Sequence, residues 1–324
     1  MNVERFDPRT SFTPAEMAEV RERSNFTGLL CIAHAWIVIG CAMALFALWP
    51  NPLSFLLAVF VIGSRQLGLA VLMHDAAHGI LLRSKTWNDR LSQWLLAWPV
   101  FNDTFRYRDY HLVHHRTTQQ PDDPDLVLSA PFPITRASFR RKMFRDFTGQ
   151  TGFKQRTAQL KAAFAIGKPD MTFGARLKNF WNRMGGMVIA NLVLLGILAA
   201  LGHPVYYLTF WLLPLLTWQQ VITRIRNIAE HAMVPDNDDV MRNARTTYAG
   251  FFTRAFIAPY WVNYHVDHHL LMYVPCYHLE KLHALLLAKG FGPKMEIRRN
   301  YAAMLELAVS REEEKPQQPE KLAA

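Results

Sequence analysis

The sequence predicts an all-α integral membrane protein, with four transmembrane helices in two hairpins and a helical cytoplasmic cap that carries histidine boxes. Three observations predict it. Apolar runs recur at span length, Lys and Arg collect on one side of them, and histidines recur at helical spacing just outside them. Of 324 residues, 51% are apolar and 19% charged, so spans alone cannot make up the chain. Such a composition excludes a disordered chain, a collagen-like repeat and a disulfide-rich secreted module. Cys31, Cys41 and Cys276 form no CxxC pair, which argues against a disulfide framework or a thiolate metal site.

The elements follow in chain order. Residues 1–26 form a cytoplasmic N-terminal segment with Arg5, Arg9, Arg21 and Arg23 and no signal-peptide core, so the span after them is expected to act as an anchor. That first span, 27–49, is uncharged and, at about 1.5 Å per residue, long enough for roughly 30 Å of hydrocarbon. The second, 52–72, is interrupted by Arg65 and Gln66; Arg65 is expected to meet a headgroup or to snorkel. Trp94–Phe101 is apolar but too short to cross. Pro121–Pro133 reads as a turn-rich acidic loop, and Arg136–Lys161 as a basic helix on the membrane surface. The third and fourth spans are 184–202 and 205–222, joined at His203-Pro204 as the first pair is at Pro50-Asn51. Leu279–Lys289 is an amphipathic helix, and 310–324 a mobile polar tail.

Neither hairpin linker carries Lys or Arg, whereas residues 73–183 carry eighteen. The positive-inside rule then places both termini and the long middle segment in the cytoplasm, with a bacterial inner membrane as the expected location. The net charge of +10 reads as a membrane-facing cytoplasmic surface, not a nucleic-acid groove, since no nucleic-acid motif accompanies it.

Eleven of thirteen histidines lie between 70 and 120 or after 225. His74 and His78 are spaced i, i+4. His111, His114 and His115, and again His265, His268 and His269, are spaced i, i+3, i+4. On a helix each set falls on one face within about one turn, which suits shared coordination through neutral ring nitrogens. All three clusters fall on the side that Lys and Arg assign to the cytoplasm. Asn227 and His231 lie beyond the fourth span at i, i+4; His231 is taken as a ninth histidine ligand, and Asn227 as a weaker one or a surface amide. Nine imidazoles exceed the needs of one ion, so two ions are expected, and imidazole by itself does not name the metal. Asp75, Asp109 and Asp267, beside the clusters, either orient ring N–H groups or face solvent. His34, His203, His278 and His283 read as structural.

RQLGLAVLMHDAAHG (65–79), YHLVHHRTTQQPDDPDL (110–126), NIAEH (227–231) and NYHVDHHLLMYVPCYHLEKLH (263–283) resemble, in order and spacing, the membrane fatty acid desaturases and their hydroxylase relatives. Over 27–309 the resemblance implies one desaturase-like domain holding two iron ions through His74, His78, His111, His114, His115, His231, His265, His268 and His269, with Asn227 reaching iron through water. Leu271-Met272 stands where many relatives have Phe-Pro, and Asp267 where Glu is common.

The implied reaction uses O2 and external electrons to place a double bond in the acyl chain of a fatty acid or lipid. The alternative is a hydroxylase or ketolase of a carotenoid, alkane or sphingoid lipid. A zinc-dependent membrane hydrolase and a non-catalytic metal-binding or transport protein are more distant readings; the spans hold too few polar residues for the last. No dinucleotide fingerprint, iron–sulfur cysteine set or haem domain is present, so a separate donor of ferredoxin or cytochrome type, with its reductase, is implied.

Overall fold

The computed structural model describes residues 6–312. Arg5 and residues 313–324, most of the expected polar tail, lie outside the described residues. The longer helices are α1 (Pro14–Val20), α2 (Asn25–Leu48), α3 (Pro52–Ala77), α4 (Lys85–Leu91), α5 (Thr104–Thr117), α6 (Arg136–Phe147), α7 (Gln150–Ala163), α8 (Phe173–Ala200), α9 (Trp218–His231), α10 (Phe251–Phe256), α11 (His265–Leu270), α12 (Leu279–Ala288) and α13 (Tyr301–Ala308). The one sheet among the described residues is a parallel pairing of Thr246–Thr247 with Ile297–Arg298.

Three stretches are long and apolar enough to cross a membrane: Pro14–Leu48, Pro52–Ala77 and Phe173–Ala200. Their starts are encoded locally. Ser24 accepts from the Thr27 N–H at the head of α2, and Asn51 accepts from the Leu53 and Ser54 N–H groups with Pro52 opening α3. The spans differ in role: the most apolar window of α3 is 67% buried, against 33% for the other two. α3 is thus the central post. α2 and α8 keep Ile37, Leu48, Leu192, Val193 and Ile197 exposed on outward faces that suit lipid.

Two polar residues midway along α3 donate to other segments of the chain. Ser64 Oγ donates to Phe256 O at 2.8 Å and Gln66 Nε2 to Trp211 O at 2.8 Å. Arg65 does not extend to the surface as snorkelling requires. It is buried, donates to Ala255 O, and lies 5.6 Å from the Tyr260 ring centroid.

Two expectations need correction. The expected fourth span, 205–222, is not one helix. Tyr207–Leu212 has π-helical spacing, Leu213–Leu216 makes one turn, and the chain breaks at Thr217 (φ −118°, ψ −90°) before α9. Pro214 lacks the N–H a continuous helix needs, and the wider turn ahead of it absorbs that loss. Arg136–Lys161 is likewise two helices, α6 and α7, divided at Gly149 with φ +79°. The short run Trp94–Phe101 forms irregular turns wedged under α8, where Trp98 O accepts from Asn191 Nδ2 at 3.0 Å. The main core joins α2, α3, Phe210 and Trp211 to the buried sides of α11 and α12, with Trp36 stacked on Trp211 at 5.5 Å.

Candidate metal centre

His74 sits in the last turn of α3, where helix continues five residues past the end of the apolar run, and His78 caps its C-terminus. Arg108 of α5 reaches those carbonyls, with Nε donating to Ala77 O at 2.6 Å and Nη2 to Ala76 O at 3.1 Å, and so binds the second histidine helix to the end of the first. α9 brings His231. It is held to α6 by Asp146, whose Oδ1 accepts from Arg224 Nη2 at 2.9 Å. α11 brings His265, His268 and His269.

The nine histidines sort into two groups. His74, His78, His111, His115 and His268 form one, and His114, His231, His265 and His269 the other; within each, one nitrogen per ring lies within 4.8 Å of all the rest. The two HxxHH helices exchange a member. The i, i+4 pair of α5 joins the first group while His114 crosses to the second, and in α11 His265 and His269 hold the second while His268 crosses to the first. At about 100° per residue, the i+3 side chain points well away from its i+4 neighbour, so each helix serves two adjacent sites. The groups touch, with His115 and His269 ring centroids 4.3 Å apart.

The surroundings keep these rings uncharged. Burial, then the charge of Arg108, pushes His78 down to about 3, and burial, then His78, pushes His115 down to about 2. Burial followed by neighbouring imidazoles holds His111, His231, His265, His268 and His269 well below the usual imidazole value. A neutral ring has one N–H and one lone pair. His265 Nε2 nevertheless lies 2.7 Å from His231 Nε2 and 3.1 Å from His269 Nε2, and it has only one hydrogen to give. Both ring nitrogens of His78 and Nε2 of His74 are buried with no partner among the described residues. Converging, unpartnered lone pairs suit cations, and an all-nitrogen set admits iron, zinc, copper or nickel.

The expected carboxylates fare differently. Asp75 Oδ1 lies 3.4 Å from His74 Nδ1, and its Oδ2 accepts the Cys276 N–H at 2.7 Å. Asp267 touches no ring of the two groups. It accepts from Thr246 Oγ1 at 2.6 Å and meets His283 Nδ1 at 2.9 Å, which fixes α11 against α12 and gives His283 the structural place expected of it. Asp109 is exposed, and its carboxylate makes no hydrogen bond or ion pair among the described residues, so it orients no ring. His34, expected to be structural, meets Tyr260 OH at 3.0 Å, and His203 stacks on Tyr206 at 4.6 Å. His278 packs its ring 5.0 Å from Tyr277.

Sequence reasoning missed Asp123, whose Oδ1 lies 2.8 Å from His114 Nδ1, and Glu230, whose Oε1 lies 3.8 Å from His265 Nδ1. It also missed Tyr107 OH at 3.4 Å from His111 Nδ1 and Thr118 Oγ1 at 3.3 Å from His269 Nδ1. The only available signal was that the acidic loop 121–133 begins a few residues after the second box. Asn227 is not packed into either group. It lines a cavity beside them with His74, His111, His114, His231 and His265, and its Oδ1 accepts from Arg226 Nη2 at 3.0 Å.

Fold and site together define a helical membrane-associated protein with two adjoining imidazole groups that could bind metal. The family model for fatty acid desaturases matches residues 47–298, and the chain belongs to that family. It is 29% identical over 294 residues to the dihydrorhizobitoxine desaturase of Bradyrhizobium elkanii, covering 82% of this chain and 76% of that one. It is 26% identical over 301 residues to the sn-1 oleoyl-lipid 12-desaturase of a Picosynechococcus species, covering 84% and 79%. The chain is an oxidoreductase, a desaturase.

Proposed function

We propose that this desaturase is a di-iron enzyme of a bacterial inner membrane that places a double bond in the acyl chain of a fatty acid or lipid, using O2 and electrons from a separate protein. The observation that carries this reading is the sorting of nine imidazoles into a five and a four, with Asn227 beside the second group. Two irons bound there would supply O2-dependent removal of one hydrogen from each of two neighbouring carbons.

The protein's part is to hold and to exclude. His74, His78, His111, His115 and His268 would hold one ion, and His114, His231, His265 and His269 the other, with Asn227 reaching it through water. Asp75 and Asp123 would keep the Nδ1 side of His74 and His114 occupied, leaving Nε2 for metal. Burial of the rings keeps bulk water from the oxidising site. In this reading both termini face the cytoplasm, and the fourth crossing is the segmented run 205–222. Arg21, Arg23, Lys85 and Arg108 line a concavity that reaches His78, a cationic rim suited to an acidic donor of ferredoxin or cytochrome type.

Expression in a host lacking such lipids, followed by mass spectrometry of its lipids and metal analysis of the purified protein, tests the reading. The expected result is about two irons per chain, in line with the two groups, and products lighter by two hydrogens. His114→Ala and His268→Ala are each expected to abolish product while the protein stays in the membrane. Near-normal product from either removes that ligand, and products gaining one oxygen would instead mark a hydroxylase.

A further inference from the structure

Between α2, α3 and the segment 251–261 lies a cavity of about 650 Å³, within the size range of ligand sites. Val38 of α2, Val61 of α3, Phe256 and Trp261 give it apolar walls. Tyr260 lines this cavity and also the small void bordered by His74, His265 and His268. The same phenol therefore borders both spaces.

Tyr260 is gripped on every side. Its hydroxyl donates to Cys31 O at 3.2 Å and meets His34 Nδ1 at 3.0 Å. Its ring is 5.6 Å from the Arg65 guanidinium, and it presses on α3 at Gly68, where an added Cβ would come within 2.7 Å of Cε2. Its φ of +53° and that of Trp261, +58°, are values bulky residues avoid. Strain of this kind persists where surrounding structure over-determines it, commonly at functional sites. At the same cavity Arg254 keeps a buried Nε–H with no acceptor among the described residues, although its Nη2 donates to Tyr264 OH and Glu280.

We infer that this cavity receives the substrate's acyl chain, with an acyl oxygen facing Arg254, and that Tyr260 is the positioning residue that divides the cavity from the histidine centre and sets which methylene reaches it. Unfunctionalised methylenes offer no polar handle, so position has to be set by a wall. The occupant follows from the apolar lining, the unpaired donor and the histidine void that lies across Tyr260. The role of Tyr260 in the reaction rests on the desaturase reading above; occupancy of the cavity does not.

Two measurements test this. Bromine quenches indole fluorescence on contact, and Trp261 lines the cavity, so dibromostearic acid and its methyl ester are titrated into the detergent-solubilised protein. The Trp261 signal is taken as the difference from the Trp261→Phe variant. Saturable quenching by the acid alone assigns a free carboxylate, and quenching by both assigns an acyl ester. Both support the cavity, which Val38→Phe/Val61→Phe is expected to close. Quenching by neither, or undiminished in the filled variant, overturns it. In the expression host, Tyr260→Phe is expected to keep the parental double-bond position. Tyr260→Ala is expected to spread it, raising a minor positional isomer roughly tenfold, the scale on which apolar pockets discriminate. Tyr260→Met replaces Ala if that variant does not accumulate. A single parental isomer from the truncated variant overturns the positioning role. No product from any protein, wild type included, would defeat the desaturase reading and with it the role of Tyr260, while the quenching still decides the cavity.

Discussion

At His114 one ring nitrogen is already committed. Nδ1 lies 2.8 Å from Asp123 Oδ1, and Asp123 is itself fixed by the N–H groups of Gln119 and Asp125, each at 2.8 Å. Burial works to raise the Asp123 carboxyl, but the His114 contact and those N–H groups hold it below its usual value. The carboxylate therefore sets the tautomer, and Nε2 is what remains for a cation. Asp123→Asn is expected to weaken iron retention by about 10–100-fold, the usual effect of losing such an orienting partner. Asp109→Asn should leave it unchanged, because Asp109 is exposed and touches no ring. Residual iron measured against chelator concentration checks both, and equal retention in the Asp123 variant would show that the contact orients nothing. The gathering of the nine histidines was legible because their spacing repeats the period of a helix. Asp123 was not, because it reaches His114 by a loop folding back, and a loop's path leaves no period in sequence. Asp267 misled for the opposite reason: it lies inside a box, yet its side chain points to Thr246 and His283.

Among the elements, the apolar runs revealed three helices long and apolar enough to cross a membrane but blurred their ends. α3 extends to Ala77 and α8 begins at Phe173, eleven residues before the apolar run, because a helix leaving a membrane turns polar without ceasing to be a helix. Hydropathy also hid the break at Thr217, where the residues are apolar enough to span but Pro214 interrupts the hydrogen-bond ladder. What joins the spans to the site is close approach. On α2, a Cβ at Gly28 would stand 2.3 Å from Leu81 O, in the turn that follows the first histidine pair, and backbone there cannot swing aside as a side chain could. Gly28→Ala is expected to cost about 1–3 kcal/mol through overpacking, read as a lower melting temperature in detergent. Gly40→Ala, on the same helix with nothing within 4 Å, is the matched control and should hold or raise it. Equal melting of the two variants would mean that α2 does not bear on that turn.

For the whole molecule, gathering so many imidazoles into one buried place ties stability to pH. In the metal-stripped protein, unfolded His78 and His115 take up protons near the ordinary value of 6.5, whereas folded they resist until about 3 and about 2. Between those limits the unfolded chain holds more protons, so stability falls as pH falls; above about 6.5 these groups contribute no slope. Five more imidazoles of the two groups are held low in the same direction. Glu230 opposes them: burial raises it from 4.5 to about 7, so it favours the folded state at low pH and offsets part of the effect of the seven imidazoles. The melting temperature of chelator-treated protein should therefore be level from about pH 8 to 7 and drop steadily from about pH 6.5 to 5, the window set by the unfolded imidazole value. The slope should be shallower in His78→Gln, which removes one of the seven. A melting temperature that stays level or rises as pH falls through that window would mean that the imidazoles take protons at least as readily folded as unfolded, and hence that the centre is open to water.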